Sequence, residues 1–225
     1  MGEKITLTDK SNGFSFSAWH SKPTDVRRGG LVICHAIWGV TPHLRALADA
    51  WAQEGYEVLL PNLFERYRPE WPAVDTDPAL FDQQMDYGSR VQWGAKCLKD
   101  LQATIDALEG PVFMIGFCFG GTAAWIASAW CRGLAAVACF YGGNIIDYID
   151  DSPVHPTILH FGKQDELIPP AHVEAIEEAY PDMPIFRYDA GHAFVAPSGF
   201  DADAARLSRL RTLQLFSRYT GRGEA

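Results

Sequence analysis

Three residues in this chain could together carry out nucleophilic chemistry. Cys118 sits in Gly116-Phe117-Cys118-Phe119-Gly120-Gly121, Asp165 follows Gly162-Lys163-Gln164, and His192 follows Asp189-Ala190-Gly191. A thiol becomes a useful nucleophile when a base lies within hydrogen-bond reach, and a carboxylate on the far side fixes the tautomer of that base. Glycines around Cys118 fit a backbone turn too sharp for side chains on its flanks. A turn of that kind ahead of a helix leaves the sulfur at the positive end of the helix dipole, where a thiolate is favoured. Taken alone, the motif also fits a core cysteine at a tight strand–helix contact. Asp189 is a second carboxylate close to His192, and Asp165 would also serve as a helix cap ahead of Pro169.

Elements on either side must deliver these groups. Pro111–Ile115 is a short apolar run ahead of Cys118, and Thr122–Trp130 after it is rich in small helix formers. Lys4–Thr8 and Gly13–Trp19 alternate as a hairpin, while Leu31–Cys34 reads as a strand buried on both faces. Thr41 and Pro42 open a helix with Leu44, Leu47, Ala48 and Trp51 on one face, ending at Gly55. Further strands are expected at Tyr56–Leu60, Ala135–Phe140, Thr157–Gly162 and Pro184–Tyr188. One helix is expected from Asp82 to Leu108, another opened by Pro169-Pro170 and running to Ala179, and a last one over Asp201–Tyr219 with Ala204, Leu207, Leu210, Leu213 and Phe216. The proline-rich stretch from Tyr67 to Phe81 is long for a connection and reads as a lid or substrate loop. Alternating strands and helices give an α/β class: one domain over residues 1–225, with a mostly parallel sheet of about seven to eight strands covered on both faces. In such a sheet the active site lies beyond the carboxyl ends of the strands. The apolar loop His35-Ala36-Ile37-Trp38-Gly39-Val40, Cys118, Asp165 and His192 all fall there.

Composition excludes several other roles. With 225 residues and 48% hydrophobic content there is enough for a substantial core, and no uninterrupted apolar run of membrane-spanning length occurs. A net charge of −9 without a basic cluster gives nucleic acid nothing to hold. Five cysteines without CxxC spacing argue against a zinc site or disulfide framework and for a reducing, cytoplasmic setting. Cys34, Cys97, Cys131 and Cys139 fall in apolar elements and read as small core residues. Neither a phosphate loop, a dinucleotide fingerprint nor a metal-ligand cluster is present, so no cofactor or metal is implied. Oligomeric state is left open.

Five signatures run in order along the chain: Ile37-Trp38-Gly39-Val40; Gly55-Tyr56 with Pro61-Asn62-Leu63-Phe64; Gly116-x-Cys118-x-Gly120-Gly121; Gly162-x-Gln164-Asp165; and Ala190-Gly191-His192-x-Phe194. Over essentially its whole length the chain resembles the dienelactone hydrolase (carboxymethylenebutenolidase) family of α/β-hydrolases. Nucleophile, acid, histidine is also the chain order expected of that fold. The resemblance implies an ester- or lactone-cleaving enzyme that works through an acyl-thioester, with Cys118 as nucleophile, His192 as base and Asp165 as its orienter. It implies an oxyanion hole from the backbone N–H groups of Ile37 and Phe119. Candidate pocket walls are His35, Trp38, Phe64, Tyr87, Trp93 and Phe119, of which Tyr87 and Trp93 lie where the family places aromatics that contact substrate.

Departures from the family bear on the substrate. Ala36 stands where the family has a Glu thought to deprotonate the thiol, and Ala196 stands where it has an Arg that binds the substrate carboxylate. A second family Arg has its counterpart near Asp82–Gln84, where there is none. Losing Glu and Arg together is chemically coherent, because either one left buried and unpaired is costly. The expected substrate is therefore a small uncharged ester or lactone, and His192 must activate Cys118 directly, as a standing ion pair. The other expectations are a degenerate member that binds a small apolar ligand without turnover and, further off, a thiol redox sensor.

Overall fold

The computed structural model describes residues 1–91 and 93–220, with positions 94 and 95 described by backbone alone. Gln92, the Ala95 side chain and residues 221–225, all within expected elements or the expected domain, lie outside the described residues.

Eight strands form one sheet in the order β1-β2-β4-β3-β5-β6-β7-β8. β1 (Glu3–Asp9) and β2 (Phe14–Ser21) form the expected antiparallel hairpin, and β2 runs antiparallel to β4 (Tyr56–Pro61). β4, β3 (Gly29–Cys34), β5 (Val112–Phe117), β6 (Leu134–Phe140), β7 (Thr157–Gly162) and β8 (Ile185–Tyr188) are parallel neighbours. Every residue of β3 and β5 is buried, as continuous apolar runs in a covered parallel sheet require. α1 (Pro42–Gln53) and α6 (Ala202–Ser217) meet through Trp51 and Phe216, and Phe216 stacks on Phe113 of β5 at 4.4 Å. α3 (Leu98–Ile105) and α4 (Phe119–Trp130) pack together on the sheet. Among the described residues no helix is long and apolar enough to cross a membrane.

Two helices depart from the sequence reading. The expected helix from Asp82 to Leu108 is broken: α2 (Phe81–Arg90) ends at Val91, whose φ of −67° and ψ of 112° are extended, and a wide turn over Trp93–Cys97 precedes α3. Gly88, inside α2, lies against the site: a Cβ there would come 2.6 Å from Ile37 Cδ1, so a side chain would fit only if the tip of Ile37 moved. In α6, Leu210 is 47% exposed and the buried stripe runs Ala204, Ser208, Thr212, Leu215 and Phe216. A repeat of three drifts around a 3.6-residue helix, whereas steps of four with an occasional three hold one face.

Strand register decides what gathers at the carboxyl edge. Cys34 lies beside Gly116, Phe117 beside Phe140, and Gly162 beside Tyr188. The loops after β3, β5 and β6 therefore start within one residue of one another, and β7 and β8 run two residues beyond β5 and β6, since Phe140 lies beside His160.

Candidate active site

Cys118 ends β5 and opens α4 in a left-handed conformation, φ 53° and ψ −115°, with its N–H donating to the Phe140 carbonyl at 3.0 Å. The turn closes only because of the glycines: a Cβ on Gly116 would lie 1.9 Å from the Gly120 carbonyl oxygen, and one on Gly120 would lie 2.2 Å from that of Cys34. Of the five free cysteines, Cys118 alone is not buried. Burial pushes the thiols of Cys34, Cys97, Cys131 and Cys139 up, which keeps them protonated and inert.

The structure brings Cys118, Asp165 and His192 together. His192 Nδ1 is 2.7 Å from Asp165 Oδ2, and the Asp165 side chain is 1% exposed. The other carboxylate oxygen, Oδ1, accepts the backbone N–H groups of Leu167 at 2.9 Å and Ile168 at 3.2 Å, so the acid cannot swing away. Asp189 is not the partner: it points to solvent and pairs with Lys163 at 2.8 Å. Burial alone would lower the His192 imidazole, but the bonds and charges of Asp165 and Cys118 outweigh it and raise it to about 9. Its Nε2 is buried without an aligned hydrogen-bond partner, and the Cys118 thiol is the neighbour on that side.

These groups open onto a cavity of about 800 Å³, which Ile37 and Phe119 line together with Ala36. Among the described residues, the N–H groups of Ile37 and Phe119 donate to no protein acceptor. Trp38 and Trp93 are also walls, with Trp93 5.1 Å from Phe119 and 5.4 Å from Tyr148. His35, Phe64 and Tyr87 are not walls. His35 and Phe64 are fully buried behind Phe119, and Tyr87 packs on Phe64. Apolar loops at the strand ends pack in two layers, and the sequence does not say which layer faces the opening.

His35 has a different task. Its Nε2 accepts the Leu63 N–H at 3.0 Å, which leaves the proton on Nδ1, and Nδ1 donates to the Ala36 carbonyl at 2.7 Å. That carbonyl shares a peptide plane with the Ile37 N–H, so the imidazole fixes where this N–H points. Burial lowers His35 to about 4, and it stays neutral. Gln84 of α2, 1% exposed, stands between Arg68 and the Ile37 carbonyl, 3.0 Å away when its amide nitrogen faces that oxygen.

Sequence reasoning missed Tyr141 and the walls Phe81, Met85, Tyr148 and Leu167. Tyr141 is buried, with φ 39°, and its ring lies 4.9 Å from that of His192. Burial, then the charge of Cys118, push its phenol far up. Its position after β6, level with Cys118, was the available signal. Among the described residues, the three left-handed non-glycines are Cys118, Tyr141 and Ala193, and all three line the cavity.

Relatives share this layout from end to end. The chain is 27% identical over 225 residues to a carboxymethylenebutenolidase of Pseudomonas putida, covering 92% of each protein. It is 26% identical over 233 residues to carboxymethylenebutenolidase 1 of Cupriavidus pinatubonensis, covering 96% of this chain and 97% of that one. A solved structure from Klebsiella pneumoniae subsp. pneumoniae, assigned as a dienelactone hydrolase, superposes with a TM-score of 0.82 at 26% identity, covering 97% of this chain and 100% of the other. The description of the dienelactone hydrolase family matches residues 16–220, and with that match the chain belongs to the dienelactone hydrolase family.

Proposed function

We propose that the chain hydrolyses an uncharged ester or lactone by attack of Cys118, with His192 as proton carrier and Asp165 as its anchor. The coarser statement, a hydrolase of ester or lactone bonds, follows from family membership and full-length relatives. One observation carries the rest: the 2.7 Å bond from His192 to a buried Asp165 turns the other imidazole nitrogen to the side where the Cys118 thiol lies.

The steps follow from that arrangement. With the proton of Cys118 already held on His192 Nε2, the thiolate attacks the carbonyl carbon, and the π electrons move onto oxygen. The N–H groups of Ile37 and Phe119 receive that oxyanion, a contribution of 10²–10³ in rate per donor at the usual order of magnitude. When the C–O bond breaks, the leaving oxygen takes the proton from His192, leaving an acyl-thioester on Cys118. In a lactone that oxygen stays tethered to the acyl chain. Water then gives a proton to His192 as it attacks the thioester, and the thiolate departs with the C–S bonding pair. Asp165 stays ionised and stabilises the imidazolium in both halves.

An uncharged substrate is supported by the walls. Ala36 and Ala196 both line the cavity, and among the described residues no Lys or Arg does. A carboxylate-bearing lactone would meet Asp75 and Asp147 there instead of a cationic clamp. A panel of neutral and carboxylate-bearing esters and lactones, run on wild type, Cys118→Ser and Ala36→Glu, tests the reading. Turnover of neutral esters with mass-detected acylation of Cys118 is expected. Stoichiometric acylation without turnover, or a preference for the carboxylate-bearing lactone, would overturn it.

A further inference from the structure

The cavity carries its apolar interior out to part of its mouth, where three large apolar side chains stand among the exposed polar residues Thr76, Ser89, Asn144, Asp147 and Ser198. Inside it are Trp38, Trp93, Phe119 and Tyr148. At the opening, Phe81, Met85 and Leu167 line the cavity while remaining 46%, 49% and 67% exposed. Large apolar side chains left in water around a concave site are surface that a ligand can cover. Phe81 and Met85 are one turn apart on α2 and so share a face, while Asp82, Gln83 and Asp86 of that helix point to solvent. Leu167 comes to the same opening from the loop after β7. Its own N–H is held by Asp165 Oδ1 at 2.9 Å, so the exposed leucine is fixed in place by the acid of the candidate triad. The mouth is therefore continuous with the chemistry.

We infer that the substrate is a neutral ester with an unbranched apolar chain of medium length, which runs from Cys118 across Phe81 and Met85 and leaves the cavity beside Leu167. This rests on the ester-hydrolase reading above and adds the class of group that fills the site. A short acyl group would leave the mouth residues in water. A charged chain end would meet Asp75 and Asp147 or apolar surface. Contact along the chain raises specificity by roughly three- to fourfold for each methylene buried.

A ladder of p-nitrophenyl esters from acetate to octanoate, with benzoate and hemisuccinate beside it, decides the matter. The expected result is a kcat/KM that climbs by about that factor per methylene to hexanoate or beyond, with hemisuccinate at least about tenfold below butyrate. Met85→Glu and Leu167→Glu should flatten the ladder relative to acetate. A ladder that is level or falls after butyrate, benzoate ahead of hexanoate, or hemisuccinate equal to butyrate would overturn the inference. Isothermal titration with 2-alkanones, which have the carbonyl and the chain but no leaving group, gives the same test without turnover: affinity should rise with chain length in wild type and lose that rise in Met85→Glu. If no ester acylates Cys118 while the alkanone ladder holds, the hydrolase reading fails and the apolar seat stands. If esters are cleaved and both ladders are flat, the reverse is true.

Discussion

Two histidines near Cys118, His35 fully buried and His192 partly so, differ in what stands behind them. His35, at the end of β3, has a backbone amide on one nitrogen and a carbonyl on the other. His192, after β8, has a buried carboxylate on Nδ1 and the thiol side on Nε2. Burial acts on both in the same direction, yet His35 falls to about 4 and His192 rises to about 9. The carboxylate first, and the Cys118 thiol with it, make the difference: one ring is a neutral strut and the other can hold and release a proton. His160, in the core with Tyr188 and Thr212 as neighbours, falls to about 3 through burial and the charge of Arg211, and repeats the His35 case.

Removing the carboxylate is the largest test of that contrast. Asp165→Asn should give His192 the environment of His35 and reduce kcat/KM by about 10³–10⁴-fold, with most of the loss in kcat. A loss under tenfold would mean that His192 does not depend on its partner. His35→Leu should cost roughly 10–100-fold, less than a whole oxyanion donor, because the Ile37 N–H is misaimed rather than removed. The loss should fall in kcat; a rise in KM alone would return His35 to the pocket wall.

The pH profile comes next. Above about pH 9 the imidazolium that protonates the leaving group is lost, so kcat/KM should fall about tenfold per unit there. His35→Leu should leave that limb in place, and Asp165→Asn should move it to lower pH. The smallest effect concerns stability. His35 and His160 stay neutral in the fold down to about 4 and about 3, whereas an unfolded imidazole binds a proton near 6.5. The unfolded chain therefore holds more protons below pH 6.5, and stability falls as pH drops through that range. The melting temperature should decline by a few degrees per unit there, and His160→Gln should shallow the slope if it folds.

Much of this was legible in the sequence, for local reasons. Glycines at 116 and 120 are demanded by backbone contacts at the turn itself, and Asp165 and His192 each follow a strand whose register is set by apolar pairing. What was hidden depends on distant partners. The break after α2 interrupts an apolar spacing that runs on through it, and the duty of His35 is set by an amide at Leu63. Phe64 and Tyr87 carry the same apolar character as Trp38 and Trp93, and only the packing sorts the inner layer from the lining. Leu167 reads as a loop residue until its N–H is seen bound to Asp165.

Cys118, Tyr141 and Ala193 hold their left-handed angles without being glycine. Each such residue costs the folded state roughly 1–3 kcal/mol, and a glycine would recover part of that. Heat resistance and turnover therefore pull in opposite directions at the floor of this site. A laboratory selection that rewarded thermal endurance alone would drift toward glycine at Cys118 and Ala193, though not at Tyr141, whose buried ring contributes more than its strain costs, and would yield a protein that survives heating without the Cys118 thiol.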